Sequence, residues 1–130
     1  HLDSILYASM LAGMVIAHTG TTIAHGMGYA LTVYKNMDHG RANGLLFPAF
    51  LRFTRTAQPH KVATLLDHLG VDSIEAFAHM LSDLFGPVEP LLADEIALFS
   101  RKGVATGNVH NTVPTPTEQH IRQMLMETFA

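Results

Sequence analysis

No segment of this chain alternates apolar and polar residues over the roughly four to eight positions that make a half-buried strand, while almost every segment carries apolar residues three and four apart. That pattern confines the chain to helices packed on helices. The expected fold is therefore all-α, a bundle of about six to eight helices with no sheet.

The first helix runs from Leu2 to about His18, with Asp3 or Ser4 as its N-cap and Leu6, Met10, Gly13, Met14 and Ala17 along one packing face, where Gly13 lets a neighbour approach closely. A second runs from Thr21 or Thr22 to Tyr34, and the short polar residues of Lys35-Asn36-Met37-Asp38 end it. His39 then falls in a turn. The third helix begins near Gly40, carries Leu45, Leu46, Phe47, Phe50, Leu51 and Phe53, and should kink at Pro48, which removes a backbone donor. Val62, Leu65, Leu66 and Leu69 mark a fourth after Pro59, closed by Gly70. Asp72-Ser73-Ile74-Glu75 reads as a capping box in which the Asp72 carboxylate accepts from the helix, with Ile74, Phe77, Ala78, Leu81 and Leu84 inward and Gly86-Pro87 as the stop. A sixth helix spans Pro90 to about Lys102 and presents Leu91, Leu92, Ile96 and Phe99, and Gly103 to Thr112 is a loop. In the last helix Thr115 is the N-cap, Pro116 the first residue and Glu118 the third, ahead of a buried stripe of Ile121, Met124, Leu125 and Phe129.

Composition narrows the function. With 48% hydrophobic and 15% charged residues in 130, the chain is one folded domain that needs no disulfide, and part of its apolar surface is expected to rest on something outside it. A net charge of -3 with no basic run argues against nucleic acid. The apolar stretch Ile5 to Ala17 is broken by Ser9 and Gly13, reads as too short to span a bilayer and lacks the basic flank of a signal peptide. The absence of cysteine excludes thiolate-held zinc and iron-sulfur centres and fits the cytoplasm. A start at His1 with a helix following at once reads as part of a larger protein.

The chemistry has to come from the nine histidines, because carboxylates, serines and lysines form no constellation. His60, His68, His79 and His120 fall on solvated helix faces or helix starts, and His1 opens the chain. His25 and His39 differ, since a helix and the turn that follows it can bring two imidazoles to the point where consecutive helices meet. Imidazole nitrogens at about 2.0–2.2 Å suit divalent iron or zinc. Gly26, Gly28 and Gly40 beside them leave room for a cofactor or substrate, and backbone carbonyls or Asp38 could fix the second ring nitrogens. By spacing alone the signal is weak, and two hydrogen-bonded helix-end histidines fit it better than a metal site does.

Ala8-Ser9-Met10-Leu11-Ala12-Gly13-Met14, His25, and Asp38-His39-Gly40-Arg41-Ala42-Asn43-Gly44-Leu45-Leu46-Phe47-Pro48 together resemble the iron-containing alcohol dehydrogenases, as do Gly107-Asn108-Val109-His110-Asn111 and Thr115-Pro116-Thr117-Glu118 near the end. The resemblance covers essentially the whole chain. It implies the C-terminal helical domain of a two-domain, dehydroquinate synthase-like oxidoreductase whose N-terminal α/β domain binds NAD or NADP. It also implies one Fe2+ or Zn2+ held by an aspartate and three histidines, of which the last two match His25 and His39 while the others would precede residue 1. Metal-assisted hydride transfer between a small alcohol and its aldehyde or ketone follows, in an enzyme that is a homo-oligomer when complete. Two positions depart from the family pattern. Tyr29 stands where many members have a second histidine one turn after His25, so either a proton-transfer role or plain packing is open to it. Ile16 stands where relatives often have an aromatic residue lining the substrate pocket. A zinc enzyme of the glycerol dehydrogenase or dehydroquinate synthase kind, and a non-catalytic helical interaction module, are the competing readings.

Overall fold

Ile23, Met27 and Leu31 recur every fourth residue and are wholly buried, which makes the segment that carries them the central helix of the molecule. The computed structural model describes residues 1–130. Its helices are α1 (Leu2–Thr19), α2 (Ile23–Lys35), α3 (His39–Arg55), α4 (Pro59–Leu69), α5 (Ile74–Phe85), α6 (Ala93–Val104) and α7 (Glu118–Phe129), with a 3₁₀ helix at Gly107–Asn111 and no strand. The all-helical expectation holds.

One core of 21 buried apolar residues joins α2 to α7. α2 packs against α3 and α6, α6 against α7, and α3 against α5 and α7. Ala42, Leu46, Ala49 and Phe50 line the inner face of α3, and Ile121, Met124, Leu125 and Phe129 that of α7, as their spacing requires. Each large side chain so buried contributes about 1.5–3 kcal/mol of transfer free energy before ordering costs are counted. Asn36 closes α2 with a left-handed backbone at φ 51°, a conformation that asparagine tolerates better than most side chains. That tight exit turns α3 back along α2. Thr32 meets His39 and Gly28 meets Asn43, contacts that run in opposite senses along the two helices. Lys35 pairs with Glu95 at 3.0 Å and ties the end of α2 to α6.

Several local expectations are corrected. α1 has no packing face: none of its residues is buried, and a Cβ at Gly13 would find no atom within 4 Å. The reason lies in its sequence, which is apolar on all sides and would need cover on all sides. α1 is also longer than the stretch judged too short for a membrane, and at 18 residues with mean hydropathy 1.3 it is long and apolar enough to cross one by length and composition. Its rise of about 27 Å still falls just short of a hydrocarbon core of about 30 Å. His39 is the first residue of α3 rather than part of a turn, and α3 continues through Pro48 as one helix. Ser73, not Asp72, caps α5, its hydroxyl accepting from the Ala76 amide at 3.0 Å. Thr117, not Thr115, caps α7, which puts Pro116 outside the helix and Glu118 at its first position. In both cases a neighbouring polar residue could cap equally well, and packing of the helix that follows selects the frame. Leu84 and Leu92 are exposed rather than inward, and the loop after α6 contains the 3₁₀ helix.

Candidate metal centre

α2 presents two faces. Ile23, Met27 and Leu31 face the core, and the opposite stripe of His25, Tyr29 and Thr32 faces the first turns of α3. His39 opens α3 and Asn43 follows one turn later on the same side. The polar and aromatic groups at the helix crossing therefore come from periodicity alone.

The structure brings His25 and His39 together. Nδ1 of His25 lies 3.1 Å from Nε2 of His39, and the ring centroids are 5.1 Å apart. Asn43 Nδ2 donates towards both nitrogens, at 3.0 Å to His39 and 3.3 Å to His25. His39 Nδ1 lies 3.3 Å from Thr32 Oγ1; with the ring proton donated to that hydroxyl, Nε2 is left as a bare acceptor. Burial first, and then the neighbouring His39, hold the His25 pKa below its ordinary 6.5, so His25 is neutral at physiological pH.

Neutral imidazoles are the form that binds metal. At this distance either one ring donates its proton to the other or both present lone pairs, and the Asn43 amide group points its hydrogens at both nitrogens. Two nitrogens 3.1 Å apart, each about 2.1 Å from a single ion, would subtend about 95° at it, within the range of tetrahedral and octahedral sites. The pair fits a divalent cation. It is also only a pair, since no group of three or more His, Cys, Asp or Glu side chains is placed to hold a metal.

Tyr29 stacks on His39, with centroids 5.4 Å apart and ring planes within 7°, and meets His25 edge-on at 6.4 Å. Ile16 lies exposed on α1. Of the glycines expected to make room for a cofactor, Gly40 is open, but Gly26 and Gly28 are covered by the chain's own side chains. A Cβ at Gly26 would come 2.6 Å from Thr106 Oγ1, and one at Gly28 would come 2.2 Å from Asn43 Oδ1. The group that meets the far nitrogen of His39 is the Thr32 hydroxyl, not Asp38 or a backbone carbonyl. Thr32 and Asn43 were given no role from sequence, although their spacings of seven from His25 and four from His39 place them on the same faces. Two clefts lined by Arg52 with Ala49 lie elsewhere on α3.

Comparisons with known proteins converge on one family. Residues 2–127 match the model described as Fe-containing alcohol dehydrogenase family, C-terminal. 1,3-Propanediol dehydrogenase of Citrobacter freundii is 30% identical over 90 residues, 63% of this chain and 23% of that protein. Sulfoacetaldehyde reductase of Bilophila wadsworthia is 32% identical over 96 residues, 63% of this chain and 25% of its own length. The crystal structure of an iron-containing alcohol dehydrogenase from Thermotoga maritima superposes with a TM-score of 0.83 at 35% identity, covering 95% of this chain and 33% of that one. The chain thus spans about a quarter of the length of these curated relatives and a third of the solved structure. Family model and fold agree over nearly every residue, from α1 through the facing imidazoles to α7, and on that agreement the chain belongs to the Fe-containing alcohol dehydrogenase family, in its C-terminal region.

Proposed function

We propose that these residues form the metal-holding helical domain of an NAD(P)-dependent alcohol dehydrogenase, in which His25 and His39 are two ligands of one divalent ion, Fe2+ or Zn2+. The observation that carries the reading is the pair of convergent ring nitrogens, 3.1 Å apart, with the Thr32 hydroxyl at the far nitrogen of His39. The relatives' names support the chemistry, one an alcohol dehydrogenase and the other an aldehyde reductase, the two directions of a single redox couple. An aspartate, a third histidine and the dinucleotide-binding domain would come from chain preceding His1. A cytoplasmic homo-oligomer acting on a small alcohol or aldehyde completes the proposal.

When bound there, the ion would supply Lewis acidity and a nicotinamide dinucleotide would supply a hydride acceptor for an alcohol substrate. This chain's own residues do the positioning. His25 stays neutral because its site is partly desolvated, so one of its ring nitrogens carries a lone pair near pH 7. Thr32 holds His39 by its far nitrogen, and Tyr29 covers the His39 ring face and restricts its rotation. Asn43 directs donors at both ligand nitrogens and keeps the rings convergent without the ion.

The test is metal content measured beside NAD(P)-linked turnover in the protein with the coding sequence upstream of His1 included. His25→Ala or His39→Ala should remove bound metal and lower turnover at least about a thousandfold while far-UV circular dichroism stays native. Full occupancy with normal turnover in His25→Ala would end the proposal.

A further inference from the structure

α2 starts without a side-chain cap of its own. Thr22 occupies the N-cap position but makes no capping hydrogen bond, and the Ile23 amide behind it is buried. A buried donor left unmet there would carry its full desolvation penalty. It is met from across the molecule: Thr112, 89 residues later, accepts from the Ile23 N–H at 2.8 Å. The same hydroxyl donates to the Asn108 carbonyl at 2.9 Å, and Thr112 is 1% exposed. Both functions of the hydroxyl are thus used inside the core.

Two amides flank this contact. Asn108 Nδ2 donates to the Thr21 carbonyl at 3.1 Å, and Asn111 Nδ2 reaches the same oxygen at 3.3 Å. The 3₁₀ helix places them, because at three residues per turn positions 108 and 111 eclipse, and Thr112 follows directly. The fit leaves no slack on the α2 side. A Cβ at Gly20 would lie 2.5 Å from Asn111 Nδ2, and one at Gly26 would lie 2.6 Å from Thr106 Oγ1. These two glycines bracket the first turn of α2, and His25 lies inside that turn as its third residue.

We infer that Thr112, flanked by Asn108 and Asn111, is the positioning residue for His25: a cap supplied from a distant segment that fixes the first turn of α2 and so sets the His25 ring against His39. Helix ends fray when their free donors are not held, and a fraying first turn would carry the His25 Cα away from α3. The purpose of the arrangement rests on reading His25 and His39 as metal ligands. Its geometry does not.

The experiment is solution NMR on the metal-free protein, with Zn2+ then added as the probe. Thr112→Val keeps the side-chain shape and removes both hydrogen bonds. Amide exchange over residues 23–26 should rise at least about tenfold, ring-to-ring NOEs between His25 and His39 should weaken by about half or more, and zinc affinity should fall at least about fivefold. Thr112→Ser, which restores the hydroxyl, should return all three to within about twofold of the native values. Ile74→Val, a core truncation in α5, should lower the melting temperature without changing the ring NOEs. If Thr112→Val does not fold, Asn111→Ala removes only the exposed flank and should produce the same changes at about threefold in exchange. Unchanged ring NOEs in the folded Thr112 or Asn111 variant, or an equal loss in Ile74→Val, would overturn the inference. If zinc does not bind the native protein while the ring NOEs still respond to Thr112→Val, the ligand reading fails and the positioning role of Thr112 stands.

Discussion

Gly28→Ala isolates the contact on which the histidine pair depends. The added Cβ would meet Asn43 Oδ1 at 2.2 Å and Cγ at 3.2 Å, so the carboxamide has to move. It cannot do so freely, because Oδ1 is buried and Nδ2 donates to His39 at 3.0 Å and His25 at 3.3 Å. Losing those two hydrogen bonds costs about 0.5–1.5 kcal/mol each. Alanine in a helix interior returns about 1 kcal/mol relative to glycine. The net is a loss of about 1 kcal/mol, or about 4 °C in melting temperature for a domain of this size. Gly40→Ala is the matched comparison, since no atom lies within 4 Å of its Cβ position and it should gain about 0.5 kcal/mol. Thermal and urea unfolding of the two variants should therefore separate by about 1.5 kcal/mol. The imidazole NMR signals of His25 and His39 should shift in Gly28→Ala alone. A Gly28→Ala protein that melts at or above Gly40→Ala would refute the argument that Asn43 is held in place by the histidines.

Other outcomes follow from the same contacts. Tyr29→Phe keeps the ring stacked on His39 and should leave turnover of the complete enzyme and its pH profile within about twofold, whereas Tyr29→Ala should cost about 1 kcal/mol of stability; a hundredfold loss in Tyr29→Phe would instead assign the hydroxyl to proton transfer. The Leu92 amide first, and then Lys35, hold the Glu95 pKa below its ordinary 4.5, so the stability this carboxylate contributes is present above that value and lost as pH falls below it. An acid titration followed by circular dichroism should show a shallower decline below pH 4.5 for Glu95→Gln than for the native chain, and identical curves would count against the pairing. These 130 residues alone should bind zinc weakly and oxidise no alcohol with NAD(P), because two imidazoles leave most of the coordination to water; measurable turnover would contradict the division of labour proposed for the domain.

Much of this site could be read before any coordinates. His25 and His39 stood out because a fourteen-residue interval across a polar turn suits a helical hairpin, and the surrounding motif supplied what spacing could not. The inner stripes of α2, α3 and α7 were equally legible, since burial follows the helical period. Asn43 and Thr32 were within reach of the same arithmetic, one and two turns along from the histidines, but neither residue type announces metal chemistry. Thr112 was not legible, because a cap supplied by a segment 89 residues away leaves no local signature. Helix starts failed for a related reason: Asp72 and Ser73, or Thr115 and Thr117, are all competent caps, and the choice depends on which frame buries Ile74 or Ile121.

α1 has a consequence for cooperativity. The helix ends at Gly20, with φ 69°, and no residue before it is buried, so the free energy that holds residues 23–129 together contains almost no term from residues 2–19. Most helical stability in proteins comes from tertiary packing, and α1 buries no residue against the rest of the chain. Melting of α1 would then be a local event, separate from the main transition, and substitutions along it would leave the midpoint of that transition almost unmoved. What its apolar residues do govern is adhesion. With Leu2, Ile5, Leu6, Met10 and Met14 all open to solvent, the chain in isolation carries a surface that drives concentration-dependent association, while the core of α2 to α7 stays folded and unaffected.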